Sequence, residues 1–337
     1  MKLRQYAIIF FFVFTCMGLA LISRYGHFDD FGKNQAIPKG KPGHDQLDES
    51  YFLNVTYFSV KNSRPVLQLD SVELSLSSID GVVIGFNPNG IIYRYDKSGN
   101  PLSPIYFQSK NSRALMKQKE VYLDNDVEIK MDDTNLHADK VTILSNGETL
   151  LAYNNVKTIS TIQKTNDQIL VDSVNAIYRP KEQFFEYRNK VSGVIKRKRE
   201  YEESISFKAD LLTVNGPKLL AEMRGNVSLK KENLDAFAHR GEVFLENYNK
   251  RLKYYALYDD VRLQEKLLQN GKTLIRKAFS EKLEGLMSDK KIILTGLPKV
   301  FQDKDVIKGN RIIIKENVET VEVDDANSNI TLEKERK

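Results

Sequence analysis

Alternation of apolar and polar residues is the feature that most constrains how this chain can fold. From Tyr51 onward, apolar side chains recur at every second position, for example at Val121 and Leu123 and again at Val127 and Ile129. A period of two places these side chains on one face of a strand, and the runs last roughly 5 to 9 residues, an ordinary strand length. The pattern therefore predicts an all-β fold.

Turn signals separate these runs. Clusters of Asn, Gly, Ser and Pro lie at 87–90, 98–101, 145–147 and 215–217, and such clusters favour turns. After the N-terminal region no segment keeps apolar residues at helical spacing for long, and the best helix candidate is 261–269. We therefore expect strands to dominate the fold.

A short element, a polar residue or turn followed by valine, recurs with a period near 35 residues. The intervals are 35, 36, 34 and 39 residues, and the valines are Val156, Val191, Val227, Val261 and Val300. An Ala-Asp pair lies 18 residues before two of them, at 138–139 and 209–210, with looser partners at Ala176, Ala238 and Ala278. Unless this spacing is chance, it indicates one supersecondary unit, a strand, a turn and a return strand, stacked several times.

The N-terminal segment predicts a membrane anchor. Lys2 and Arg4 precede an apolar run at 7–22, and Arg24 follows it. The run is short for a spanning helix but sufficient if its flanks reach the interface, and the preceding cations favour a cytoplasmic N-terminus. The alternative is a cleaved signal peptide, although no A-x-A site follows. We expect an uncleaved transmembrane helix at 1–25 and a polar tether at 26–50.

Composition and motifs argue against several classes of function. The 51 basic and 45 acidic residues are mixed along the chain, whereas a duplex DNA binder concentrates its positive charge, so we expect no nucleic acid partner. Cys16 is the only cysteine, and His27, His44, His137 and His239 are scattered. Because no metal-ligand spacing and no G-x-S-x-G motif occurs, we expect no metal, no cofactor and no catalysis.

Four segments carry a resemblance to known proteins. They read LHADKV at 136–141, FKADLL at 207–212, LAEMRGNVSL at 220–229 and KGNRIII at 308–314. Over about residues 1–330 the chain resembles the lipopolysaccharide transport proteins of the LptC and LptA (OstA-like) families. The anchor, tether and first strands resemble LptC, and the later part resembles an OstA-like segment. The resemblance implies an LptC-like domain at 51–196, an OstA/LptA-like domain at 197–330 and a charged tail at 331–337.

The resemblance implies an antiparallel β-jellyroll whose two sheets open like a V and leave an apolar trough between them. Acyl chains entering such a trough leave water at roughly 0.8 kcal/mol per CH₂. The implied protein crosses the inner membrane once and has its bulk in the periplasm. It accepts lipopolysaccharide or a similar glycolipid from an inner-membrane ABC transporter permease and passes it toward the outer membrane.

Two sets of site residues follow. The groove candidates are apolar residues of the alternating strands: Val121, Leu123, Val127, Ile129, Ala138, Val141, Phe207, Ala209, Met223, Val227, Phe244 and Tyr254. The candidates for an edge that docks a periplasmic bridge or outer-membrane β-jellyroll domain are Arg311, Ile312, Ile313, Ile314, Val321 and Val323. The alternatives are a closed sandwich core, an envelope β-repeat scaffold without a lipid groove, and a carrier for another amphiphile.

Overall fold

The computed structural model describes most of the chain after residue 48. The described residues are 49–77, 81–145, 147–162, 165–198, 203–245, 252–269, 272–286, 289–303, 305–316, 318 and 321–324. They belong to one compact unit, Asp48–Lys337. The predicted anchor at 1–25, nearly all of the tether and the charged tail lie outside them, and no helix within them is long and apolar enough to cross a bilayer.

The described residues form 21 strands in one antiparallel sheet. The first six strands are β1 Glu49–Lys61, β2 Arg64–Ser77, β3 Val82–Phe86, β4 Asn89–Tyr95, β5 Pro101–Gln108 and β6 Asn111–Leu115. Ten long strands follow: β7 Glu120–Met131, β8 Thr134–Leu144, β9 Thr149–Thr161, β10 Gln168–Arg179, β11 Phe184–Lys196, β12 Ile205–Asn215, β13 Leu220–Lys231, β14 Leu234–Leu245, β15 Leu252–Gln269 and β16 Lys272–Leu286. The chain closes with β17 Lys291–Thr295, β18 Lys299–Gln302, β19 Asp305–Lys308, β20 Arg311–Lys315 and β21 Val321–Asp324.

The all-β prediction is confirmed, and the helix considered at 261–269 is wrong. These residues belong to β15, where Val261, Leu263 and Leu267 are buried while Arg262 and Lys266 are exposed. The period is two, so the segment buries one face against the core as a strand does.

A bend interrupts the long strands at their middle. In every second one, two consecutive residues adopt left-handed φ angles between 46° and 72°: Asn125-Asp126, Asn154-Asn155, Asn189-Lys190, Gly225-Asn226 and Asp259-Asp260. Asn, Asp and Gly tolerate this conformation better than other residues. In the β7–β8 pair, two of these residues stand opposite one on the neighbouring strand, so the register shifts there. Such a two-against-one bulge bends a strand sharply.

The predicted repeat marks these bends. A buried valine follows each left-handed pair and lies opposite a small residue, as Val127–Ala138, Val156–Ser173, Val191–Ala209, Val227–Ala238 and Val261–Ser280. The Ala-Asp pairs supply a bond, because Asn155 donates to Asp139 and Asn226 to Asp210, both at 2.8 Å. Ala278 lies opposite Val300, the fifth valine of the predicted repeat. Ala176 lies elsewhere in β10, since Ser173 occupies the position opposite Val156.

The bends divide the strands into two layers. We call layer A the layer of 191–196 in β11 and 205–209 in β12, and layer B the layer of 184–188 and 211–215 in the same strands. Successive long strands pair half by half and extend both layers. The layers face each other, since the hydroxyls of Thr158 in layer A and Tyr187 in layer B share a hydrogen bond of 2.9 Å.

Candidate functional site

An apolar cavity of about 270 Å³ lies between the two layers at β9–β14. Layer A contributes Ile169, Ile195 and Phe207 to its wall, and layer B contributes Val214 and Met223 among others. The lining also includes Ser160 and Ile162 at one margin and Gln183, Asn215 and Gly216 at the other. The cavity therefore reaches from the apolar interior to the hairpin ends of both layers.

Strand register explains why the wall of the cavity is continuous. We call the inward-facing row nearest the free edge of layer A the margin row. Through the cavity it runs Ser160–Ile169–Ile195–Ile205, each residue paired with the next across neighbouring strands. The corresponding row of layer B runs Phe185–Val214–Ala221–Val243. Both rows are apolar or neutral, so an apolar ligand would meet no charge here.

A glycine makes room for the aromatic ring that lines the cavity. Gly193 pairs with Phe207, and a Cβ atom at Gly193 would lie only 2.2 Å from Cζ of that ring. The ring therefore covers the backbone of the neighbouring strand. In layer B, Tyr178 and Phe185 stack at 3.9 Å between ring centroids. Beside them Tyr187 is fully enclosed, and burial raises the pKa of its hydroxyl well above the ordinary value.

Most groove candidates lie in the interior between the layers. Those buried in the core are Leu123, Val127, Ile129, Ala138, Val141, Phe207, Ala209, Met223 and Val227. Val121 is partly buried and packs against this core. Phe207 and Met223 line the cavity. Four further residues line the cavity and were not among the candidates: Ile169, Tyr187, Ile195 and Val214. The alternation of Ile169 with Val171 is a sequence signal that could have identified part of this wall.

Phe244 and Tyr254 correct the prediction, because they lie on the outer face. Their inward neighbours are Val243 and Tyr255, which pair with each other across β14 and β15. Phe244 and Tyr254 stack at 4.5 Å on the other side of the sheet. Partial burial first, and then Glu242 and Glu284 on that face, raise the pKa of Tyr254. These two rings cannot line the space between the layers.

Beyond β12 the margin row contains charged and polar residues instead of isoleucines. It continues Lys231–Leu234–Glu265–Arg276–Gln302. Glu265 and Arg276 form an ion pair of 3.0 Å with less than 2% of either side chain exposed. Arg276 also donates to Gln302 Oε1 and to the Val318 carbonyl, each at 2.8 Å. The space between the layers is thus occupied by paired charges at this end.

Glu316 closes this charged end from the opposite layer. It follows β20, which belongs to layer B, and its carboxylate forms a close ion pair with the buried ammonium of Lys231. Burial, then Glu316 and Glu265, raise the pKa of Tyr255. Among the described residues, Oε1 of Glu316 and the Tyr255 hydroxyl are buried without a hydrogen-bond partner. We call Glu316 and Val318 with their contacts to layer A the C-terminal closure.

The docking-edge prediction is partly wrong. Arg311, Ile312, Ile313 and Ile314 lie in β20, which pairs with β17 on one side and β21 on the other. Their backbone groups are therefore already used within the sheet. Val321 and Val323 lie in β21, whose recorded pairing among the described residues is with β20 alone. At the other end of the array, β1 likewise pairs with β2 alone.

The described residues hold no cluster of three or more His, Cys, Asp or Glu side chains that could bind a metal. His137 lies 3.5 Å from Glu128 on the outer face, and His239 is exposed at the bend of β14. Both of these histidines therefore reach solvent.

Comparison with known proteins gives a matching family and several similar solved structures. No curated protein matches the chain. One of the similar structures is LptH, described as the LptA homologous periplasmic component of the conserved lipopolysaccharide transport device from Pseudomonas aeruginosa. It shares 16% identity over 39% of this chain and 90% of its own, with a TM-score of 0.33. The model of the family "LptA/(LptD N-terminal domain) LPS transport protein" matches residues 106–200 and 206–320. Because these two segments cover more than half of the 337 residues, the chain belongs to this family of lipopolysaccharide transport proteins.

Proposed function

We propose that this protein is a non-catalytic carrier that binds lipopolysaccharide, or a similar glycolipid, between its two layers and passes it along the array. The observation that carries the proposal is the apolar cavity, which has walls from both layers and reaches their free margins. Burial of acyl chains is non-directional, so a chain can slide along such a wall without breaking specific bonds.

The energetic case rests on the neutral walls. Each methylene removed from water contributes roughly 0.8 kcal/mol, so about five methylenes contribute roughly 4 kcal/mol. The cavity holds only part of a large glycolipid, and separation of the layer margins would admit more of it. We therefore propose that the layers open in a V-shaped jellyroll when lipid is bound.

The proposed route runs from the inner membrane toward the outer membrane. Its elements are the anchor at 1–25, an inner-membrane ABC transporter permease as donor, an LptC-type segment at 51–196 and an OstA-like segment at 197–330. The break between the family-matched segments, at 201–205, lies close to the proposed boundary. The sheet itself is continuous across this boundary, because β11 pairs with β12.

Docking of a neighbouring β-domain is proposed at the ends of the array. The exposed edges of β21 and β1 offer backbone donors and acceptors, and such edges bind added strands. β21 carries the predicted residues Val321 and Val323. A periplasmic bridge protein or an outer-membrane β-jellyroll domain is the proposed partner at that end.

Mass spectrometry of lipid that co-purifies with the full chain in mild detergent tests the proposed function. We expect wild-type protein and Lys208→Asp, on the outer face, to carry glycolipid. Phe207→Asp should carry much less, because a carboxylate inside the cavity loses hydration that acyl chains cannot replace. Circular dichroism of Phe207→Asp controls for folding. Equal lipid content in a folded Phe207→Asp and in Lys208→Asp would favour the scaffold alternative.

A further inference from the structure

A second cavity, of about 490 Å³, is strongly basic. Lys61 and Arg64 reach it from the β1–β2 turn, Arg94 from β4 and Lys181 from the β10–β11 turn. Glu148 is the single carboxylate in its lining. Three separate parts of the chain thus bring four cations to one concave surface. We call this cavity the basic pocket.

The four cations are available to a ligand. Among the described residues none of them forms an ion pair with a carboxylate, whereas Lys231 and Arg276 at the other end of the array are both paired. Two of the four are held in place by neutral groups. The Arg64 guanidinium lies 5.4 Å from the ring centroid of Tyr95, and Arg94 donates to the Ser103 carbonyl at 3.3 Å. Burial also lowers the pKa of Arg94, with smaller opposing effects of Tyr178 and Asp132, and an added anion would compensate the lost hydration further.

The basic pocket lies at the margins of the two layers. Gly147, in the β8–β9 turn of layer B, has a φ of 88°, and a Cβ atom there would lie 2.9 Å from Ile105 and 3.5 Å from Arg94 Cδ. Ile105 is buried beside Ile92 in layer A. The turn therefore packs directly on layer A beneath the pocket, and a larger residue at 147 would strain the backbone and displace the Ile105 side chain.

One turn contributes to both the basic pocket and the apolar cavity. Lys181 lines the pocket and Gln183 lines the cavity, and both belong to the turn between β10 and β11. An amphiphile that leaves the space between the layers at this turn would have its headgroup beside the cations.

We propose that the basic pocket binds the phosphate-bearing sugar headgroup of the amphiphile whose acyl chains occupy the apolar cavity. The amphiphile itself rests on the proposed function. Guanidinium groups match phosphate oxygens with two parallel hydrogen bonds, and lysine adds a mobile point charge. Tyr93, Tyr95 and Leu102 line the same pocket and offer flat or apolar surface to a sugar ring.

Calorimetric titration of the full chain in detergent tests this site with three soluble probes: glucosamine 6-phosphate, glucosamine and inorganic phosphate. We expect the sugar phosphate to bind at least tenfold more tightly than either fragment. The double variant Arg64→Gln/Lys181→Gln should bind it at least tenfold more weakly. The matched control Lys208→Gln/Lys277→Gln removes two charges from the outer face and should bind it like wild type. Binding in wild type should also weaken with added salt, because Lys61, Arg64 and Lys181 are solvent-exposed.

Two results would overturn the headgroup site. One is sugar phosphate affinity that is equal in the pocket variant and the control. The other is inorganic phosphate binding as tightly as the sugar phosphate, which would indicate a free-phosphate site. Because Arg64 and Lys181 are exposed, both variants should fold, and Lys181→Gln alone provides a milder second variant. Lipid co-purification is measured on the same proteins. If wild-type protein binds the sugar phosphate but no lipid co-purifies with it, the proposed function is refuted. The basic pocket would then be a site for a soluble anion.

Discussion

The margin row of layer A has two stretches with similar strand pairing but different side chains, one neutral and one charged. Through β9–β12 it reads Ser160, Ile169, Ile195 and Ile205, and an apolar cavity lies above it. From β13 to β18 it reads Lys231, Leu234, Glu265, Arg276 and Gln302, and the space above it holds ion pairs. The bends and pairings are alike, so the side chains alone decide whether the layers enclose a cavity or a polar network.

The difference shows how one architecture can both hold and stop an apolar ligand. A neutral wall accepts acyl chains by burial alone. A charged wall must keep its partners, because an unpaired charge away from water is very costly. Glu316 and the Val318 carbonyl supply those partners and in doing so occupy the space between the layers. We therefore interpret the C-terminal closure as the limit of the apolar path in this conformation.

The largest expected effect follows from breaking the buried pair. Arg276→Met removes the guanidinium from the buried Glu265–Arg276 ion pair and should lower the free energy of unfolding by about 3–5 kcal/mol. Chemical denaturation of the full chain in detergent measures it. The double variant Glu265→Leu/Arg276→Met should recover much of the loss, because apolar residues of similar size often replace a buried ion pair at little cost. Arg262→Met, at the exposed pair with Asp260, serves as a control with little change. Wild-type stability of Arg276→Met would contradict the buried pairing.

A smaller effect is expected at the glycine beneath the cavity. Gly193→Ala places a methyl group against the Phe207 ring and 2.8 Å from the Leu170 carbonyl oxygen. Overpacking of this kind costs about 1–3 kcal/mol, and the displaced ring should reduce the lipid that co-purifies. Gly193→Ala/Phe207→Leu should restore part of the stability by removing the ring, while the contact with the Leu170 carbonyl oxygen remains. Failure of the second change to restore any stability would show that the ring contact is not the cause.

The smallest expected effect concerns the C-terminal closure. Glu316→Gln keeps the shape of the side chain but removes its charge, and Lys231 retains Glu203 at 3.6 Å. We expect a loss of about 1–2 kcal/mol, the cost of weakening one buried charged hydrogen bond. If the closure limits the apolar path, a photo-crosslinker at Leu263 should label lipid more strongly in Glu316→Gln than in wild type. Unchanged labelling would mean that the closure does not limit access.

The alternation predicted the strands, but it could not predict how the bends shift it. In β13 the inward residues on either side of the bend are Met223 and Val227. They are four positions apart, an even number, so the same alternation holds on both sides of the bend. Both residues were groove candidates, and both point inward. In β14 they are Ala238 and Gly241, three apart, so the parity reverses. Extending the series from Ala236 and Ala238 therefore led to Phe244, on the outer face, instead of Val243. The bulge that causes the shift depends on pairing with neighbouring strands, which periodicity along one strand does not contain.

The sequence could predict that the site is apolar, but not which strands its neutral wall spans. The sequence pattern selected Phe207 and Met223, and both line one cavity from opposite layers. The change from isoleucine to charged residues along the margin row becomes visible only when the register is known, because Ile205, Lys231 and Glu265 are far apart in sequence. The edge prediction failed at 311–314 for the same reason, since β17 and β21 occupy both sides of β20.

Site-specific photo-crosslinking in cells tests the central claim most directly. The probe is placed at Phe207 and Met223, which face the cavity from the two layers, and at Lys208 and Arg224, their neighbours on the outer faces. A step of one residue turns a strand side chain to the opposite face. We predict glycolipid adducts at Phe207 and Met223 and few or none at Lys208 and Arg224. Equal labelling of both faces, or no lipid adduct at any of the four positions, would contradict an apolar path that is confined to the space between the layers.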